Sequence, residues 1–446
     1  MIAHAPTAVT PSDERANADT GGIAGHPRGL TTLFLTEFWE RFSYYGMRAL
    51  LVLYMTAPVA AGGLAYDIPK ATRIYGLYTS SVYFTAVIGG IIADTLIGAY
   101  RSVLYGGIII ASGHFLMALP STSAFFLGLV AIALGTGLLK PNISAMVGNL
   151  YSPGDLRRDS GFSIFYIGIN LGGMVAPLVC GTVGQRVNWH LGFGLAGLGM
   201  TLGVAQLLWH RERVKGNAPI KQKAEGVETG GLNRSDVNKL IVLAILLVFS
   251  SFFWTAFEQA GSSLNLFAEN MVNNRLFGYE FPSSWFQSVN SFFILLLAPV
   301  FSIIWLKLGE RQPSSVTKFV GGLFFVGAGY LFLSLGMFAD GKVGPLWLVA
   351  LYFLHTVGEL CLSPVGLSTV TKLAPPRAVG FLLGMWFVFI AIGNYGAGYL
   401  AGFFDPAKGM GAARFFFLAI AGGVIAASLA LAVFIPVTGK LLGKKV

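Results

Sequence analysis

The chain has 446 residues, 54% hydrophobic and 11% charged, with 36 Phe and 58 Gly. A globular protein carries about 25% charged residues, so this composition excludes a soluble domain and points to a polytopic membrane protein. The net charge of +10 would suit nucleic acid in a soluble chain, but here the basic residues sort by membrane side and no nucleic-acid partner is expected.

Residues 1–30 are polar without an apolar core, so they read as a tail rather than a cleaved signal segment. Twelve mainly apolar runs follow, near 31–57, 74–97, 101–119, 122–149, 160–184, 190–210, 239–268, 286–307, 316–338, 345–371, 379–403 and 413–437. Each approaches the roughly 20 residues that cross a bilayer core. The expected organisation is a tail (1–30), a first six-helix bundle (31–210), a polar linker (211–238), a second bundle (239–437) and a short tail (438–446). With an even number of spans both ends share a side, which holds 20 Lys/Arg against seven on the other. Both termini are therefore expected in the cytoplasm, in a multi-pass protein of the inner (plasma) membrane.

The first span contains EFWERFSYYGMR, residues 37–48. A charge at mid-bilayer costs about 2.5–3.5 kcal/mol even on lenient scales, so such residues line polar paths and pair with one another. At about 100° per residue, Glu37, Arg41, Tyr44 and Arg48 fall on one face, flanked by Glu40 and Tyr45. The junction of spans two and three, GGIIADTLIGAYRS, supplies Asp94 and Arg101 to a tight turn, expected to act as a charge latch on the cytoplasmic side.

Later spans add Lys140 before Pro141, Asn170 in GINLGG, Glu258 in FWTAFEQAGSS, Asn290, and Glu359 in HTVGELCLSP. Counting rise along the helices at about 1.5 Å per residue places Glu40 and Lys140 at similar depth, which predicts a pair. Arg48 and Glu258 fall at a second, outer level. Pro141 and Pro364 remove backbone donors beside Lys140 and Glu359 and free carbonyls there. Asn170 and Asn290 suit interhelical hydrogen bonds as well as ligand contacts. His355, one turn before Glu359, is expected to be a packing residue. Cys180 and Cys361 sit singly in apolar spans, so no disulfide or metal site is expected.

A six-plus-six plan with a basic linker suggests the major facilitator architecture, in which two halves rock about a midplane site. With EFWERFSYYGMR, LKPN, FYIGINLGG, FWTAFEQAGSSLNLFAEN and GELCLSPVG in this order, the chain resembles the proton-coupled oligopeptide (POT/PTR) transporter family from about residue 30 to 405. The resemblance implies an all-α membrane protein of twelve helices that takes up di- and tripeptides with protons. It implies proton coupling through Glu37, Glu40 and Arg41 with Lys140, and an outer gate pair of Arg48 and Glu258. Peptide contacts would be Arg41, Tyr44, Lys140, Asn170, Asn290 and Glu359, with Tyr45, Tyr83, Trp254 and Trp386 lining side-chain pockets. Two departures from the family are expected: the linker is too polar to supply the two extra helices of many bacterial members, and 74–97 lacks the histidine that animal members use.

A zwitterionic peptide presents an ammonium and a carboxylate whatever its side chains. Glu359 would take the first, Arg41 and Lys140 the second. The expected partners are di- and tripeptides, protons as coupling ion and the lipid bilayer, with no cofactor and no obligate protein partner. The alternative is a major facilitator carrier for nitrate, a drug or a sugar. An enzyme is not expected, since no nucleophile or metal constellation stands at catalytic spacing.

Overall fold

The computed structural model describes residues 19–152, 154–215, 233–338, 341–375 and 378–442. The first half contains α1 (Arg28–Thr56), α2 (Ile68–Ile97), α3 (Ala99–Met117), α4 (Thr122–Gly148), α5 (Arg158–Arg186) and α6 (Trp189–Trp209). The second contains α7 (Arg234–Met271), α8 (Ser283–Arg311), α9 (Ser315–Phe338), α10 (Pro345–Leu373), α11 (Val379–Ala401) and α12 (Met410–Leu442). A two-stranded hairpin, β1 (Arg275–Leu276) and β2 (Tyr279–Glu280), joins α7 to α8. The fold is an all-α membrane protein with two six-helix bundles, and the start of α1 and the end of α12 lie on the same side.

Ten of these helices are long and apolar enough to cross a membrane. The exceptions are α1, with four ionisable residues between 37 and 48, and α3, with Arg101 and His114. Polar caps set the helix starts: Asp67 accepts from the Lys70 amide, Asn188 from two amides at the start of α6, and Asn233 with Asp236 forms a capping box on α7. Helix α2 thus begins six residues ahead of the expected 74, because its first turns are polar and escape a hydropathy window. Helix α1 likewise starts at Arg28 and α12 runs to Leu442. The expected linker lies largely in 216–232, outside the described residues, as do most of the tail 1–30 and residues 443–446.

Glycine sets how closely the helices approach. A Cβ on Gly172 of α5 would meet Arg41 Cβ at 2.9 Å, and one on Gly46 of α1 would meet Cys180 Sγ at 2.7 Å. Helices α2 and α4 touch at Gly89 and Gly137, where Thr85 Oγ1 also donates to the Ala133 carbonyl at 2.8 Å. Gly137 is the residue whose carbonyl Pro141 leaves without its helical partner, so the proline and the contact coincide. Asn142 Nδ2 takes up the next carbonyl, Leu138, at 2.7 Å.

Between described residues, every hydrogen bond joining the two halves lies at the level of Glu258 or beyond it, on the side away from the termini. These include Asn265 to the Ala49 carbonyl at 2.9 Å, Trp285 Nε1 to Thr182 Oγ1 at 2.8 Å, and the Ser284 amide to Gln185 Oε1 at 3.0 Å. Gly76 of α2 and Gly398 of α11 pack backbone to backbone on the same side. The far side is shut.

Candidate functional site

The close α1–α5 approach holds the polar face of α1 inside the bundle. Arg41 forms ion pairs with both acids on its own helix, Glu37 at 3.0 Å and Glu40, all three buried. Its guanidinium lies 5.5 Å from the Tyr44 ring centre. Arg41 Nη2 and Glu37 Oε2 are buried with no hydrogen-bond partner among the described residues. Unfilled polar positions of both charges thus belong to one ion-paired cluster, and such groups call for a ligand, water or proton.

The expected Glu40–Lys140 pair is not formed. Lys140 Nζ sits 3.9 Å above the Tyr83 ring, with no carboxylate within 4.0 Å among the described residues. The reason is competition: Arg41, the fourth residue after Glu37 and next to Glu40, brings its Nε against both carboxylates from within the same helix. Lys140 still feels Arg41, Glu40, Glu37 and Glu258, so it belongs to the same electrostatic cluster.

Arg48 and Glu258 meet, Nη2 to Oε2 at 2.6 Å, both buried. Arg48 Nε also donates to the Tyr75 hydroxyl at 2.7 Å. The α7 backbone makes room for this pair: the helix tightens into a 3-10 turn at Glu258–Gly261, and a Cβ on Gly261 would lie 2.9 Å from Arg48 Nε. The Arg48 guanidinium also lies 5.8 Å from the Tyr45 ring centre, and Tyr45 packs edge-on against Tyr44.

In the second half Asn290 Nδ2 donates to Glu359 Oε2 at 2.9 Å and to Thr356 Oγ1 at 3.0 Å. Glu359 therefore has a neutral partner and no cation within 4.0 Å among the described residues. Asn170 Nδ2 donates to the Tyr166 carbonyl at 2.9 Å. His355 turns away from Glu359 and packs on Tyr330, ring centres 4.9 Å apart, and on Phe257. Trp386, 2% exposed, packs on Phe319 and Gly366, and Trp254 packs with Phe253 and Phe257, so both belong to second-half packing in this conformation. Tyr83 stacks on Phe387 of α11, centres 6.4 Å apart, and bridges the halves.

Three contributors escaped the sequence reading: Tyr75, Thr356 and Phe387. A hydroxyl or ring on an apolar helix is indistinguishable from packing until its neighbour is known. Asp94 and Arg101 are exposed and form no ion pair within 4.0 Å among the described residues in this far-side-shut state, and the π-helical turn Ala93–Ile97 with Gly98 at φ +78° connects the two helices.

The POT family model matches residues 100–229 and 209–417. The chain belongs to the POT family. Its members are transporters rather than enzymes, and three relatives illustrate the likeness. The uncharacterized transporter YclF of Bacillus subtilis is 41% identical over 439 residues, covering 86% of this chain and 89% of its own. The peptide transporter YePEPT of Yersinia enterocolitica is 41% identical over 451 residues, covering 85% and 88%. The di-/tripeptide transporter of Lactococcus lactis subsp. cremoris is 39% identical over 431 residues, covering 82% and 87%. Among solved structures, a peptide transporter POT with sulfate superposes with a TM-score of 0.90 at 37% identity over 98% of this chain and 100% of that one. A POT family transporter with a thioalcohol-conjugated peptide gives 0.86 at 32% identity, over 94% and 98%. This POT-family chain shares their major facilitator fold.

Proposed function

We propose that the chain is a proton-coupled symporter that imports di- and tripeptides by alternating access, from the plasma (inner) membrane with both termini in the cytoplasm. The observation that carries the reading is the division of charge. Arg41 and Lys140 stand in the first half, and Glu359 stands in the second with only a neutral amide beside it. A zwitterionic peptide satisfies both walls at once, carboxylate on Arg41 and Lys140, ammonium on Glu359, and pulls the halves together. Peptide-transporting relatives at about 40% identity support the cargo.

Four carboxylates (Glu37, Glu40, Glu258, Glu359) and three cations (Arg41, Arg48, Lys140), all buried or half-buried, share this interior. One acid is therefore left without a counter-charge, and in low dielectric a proton or an ammonium fills that deficit. A proton on Glu258 frees Arg48 and unlocks the far side. Peptide and protons then compete for the Glu37–Glu40–Arg41–Lys140 cluster, and release of the proton to the cytoplasm restores the pairs. One pH unit contributes about 1.4 kcal/mol and 100 mV about 2.3 kcal/mol per charge, together a several-hundredfold gradient per proton.

The test is peptide uptake into liposomes. Uptake should rise with an inward proton gradient, and Glu37→Gln or Glu40→Gln should lose that drive while keeping peptide exchange. Uphill accumulation by both variants would overturn the role assignment. Unlabelled dipeptide that fails to compete with uptake would instead favour a carrier for nitrate, a drug or a sugar.

A further inference from the structure

Beyond the Arg48–Glu258 lock, the shut seam holds a polar cavity of about 370 Å3. Small-molecule sites span about 300–1,000 Å3, so a short peptide fits. The first half contributes Gln185 and Arg186, and the second Glu269, Arg275, Glu280 and Lys342. At about 1.5 Å per residue, Glu269 stands roughly 16 Å along α7 from Glu258, so this is not part of the central cluster.

Its charges are partly spent on one another, and what remains has a pattern. Arg275 pairs with Glu280 at 3.5 Å. Glu269 is held rather than neutralised: Oε2 accepts from Gln185 Nε2 at 2.9 Å and from Ser283 Oγ at 2.5 Å, while Gln185 Oε1 accepts the Ser284 amide. Arg186 donates to the Glu280 carbonyl at 3.0 Å, a neutral partner, and Lys342 has no carboxylate within 4.0 Å among the described residues. One oriented carboxylate and two unmatched cations are left, with Arg186 and Lys342 on opposite halves.

We propose that this cavity is an outer binding site for zwitterionic di- and tripeptides, the carboxylate shared by Arg186 and Lys342 and the ammonium on Glu269. The ligand class rests on the peptide reading above. An occupant joins the two halves and holds the far side shut, so the site is inhibitory. Its charged residues are solvent-exposed, so its binding is weak and weakens further with salt.

The experiment titrates dialanine into the purified full chain by calorimetry. Two phases are expected, and the double variant Arg186→Gln/Lys342→Gln should weaken the second at least tenfold while the first stays within twofold. A single phase in the parent, or a weak phase untouched by the double change, overturns the outer site and leaves the central reading standing. Failure of the parent to bind dialanine at all overturns both. In liposomes, peptide uptake by the parent should fall at least threefold as external peptide rises far past saturation, and remain flat in the double variant. The same decline in both proteins would refute the proposal.

Discussion

Glu258→Gln is the sharpest test of the far-side lock. Glu258 is the carboxylate on Arg48 at 2.6 Å, and neither side chain is more than one-tenth exposed. Breaking a buried pair by removing one partner costs about 3–5 kcal/mol. Gln keeps the shape and one hydrogen bond, a net recovery of about 1 kcal/mol, and Tyr75 remains on Nε. The cost falls on the far-side-shut state alone, because opening admits water to Arg48. A loss of about 2–4 kcal/mol corresponds to a population shift of roughly 30–700-fold, at about 1.4 kcal/mol per tenfold. Ser284 provides the probe: it is fully buried in the shut seam, where its side chain packs against Gly181. In a Cys180→Ala/Cys361→Ala background, alkylation of Ser284→Cys from the far side should accelerate at least tenfold with Glu258→Gln. An unchanged rate in a folded protein would refute the claim that this ion pair holds the seam.

Other residues give independent tests. Glu359→Gln should weaken binding of a free dipeptide at least tenfold and leave its N-acetylated form within twofold; equal losses for both would show that Glu359 does not read the ammonium. Gly172→Ala pushes a methyl against Arg41 Cβ and the Phe38 carbonyl; overpacking of this kind costs about 1–3 kcal/mol, seen as a lower melting temperature, and an unchanged melt would mean that α1 and α5 separate freely. His26, outside the membrane, contacts Tyr151 through Nδ1 at 2.8 Å and Ser160 through Nε2 at 3.2 Å. Burial, and then the Arg157 charge, hold its pKa below the usual value, with Asp155 acting weakly in the opposite sense. A histidine depressed in the folded state costs nothing above its unfolded pKa of about 6.5 and destabilises as pH falls below it. Hydrogen exchange in residues 19–27, corrected for intrinsic rate, should thus quicken between pH 7.5 and 5.5 in the parent and stay level in His26→Gln.

The main elements of the site were legible because charge in an apolar span is costly. Glu37, Glu40, Arg41, Arg48, Lys140, Glu258 and Glu359 stand out in any hydropathy plot, and the structure buries or half-buries all seven. Which acid meets which base was not legible. Glu40 and Lys140 share a depth, yet depth fixes only one coordinate, and the choice went to Arg41 because its donors are already on the same helix. Trp254 and Trp386 were open for a related reason: an aromatic residue near the midplane faces a pocket, a neighbouring helix or both, and in this conformation they meet Gly393 and Gly366.

Sequence alone determined that this chain crosses a membrane about twelve times, that its halves are separated by a polar linker, and that ionisable side chains lie at two depths. These follow from one-dimensional facts: the length of apolar runs and the cost of charge within them. Tertiary structure decided the pairings, the shut far side, the neutral partner of Glu359 and the outer cavity between Arg186 and Lys342. The contacts between helices join residues far apart in the chain, 210 positions for Arg48–Glu258 and 69 for Asn290–Glu359, and no local pattern encodes such a separation.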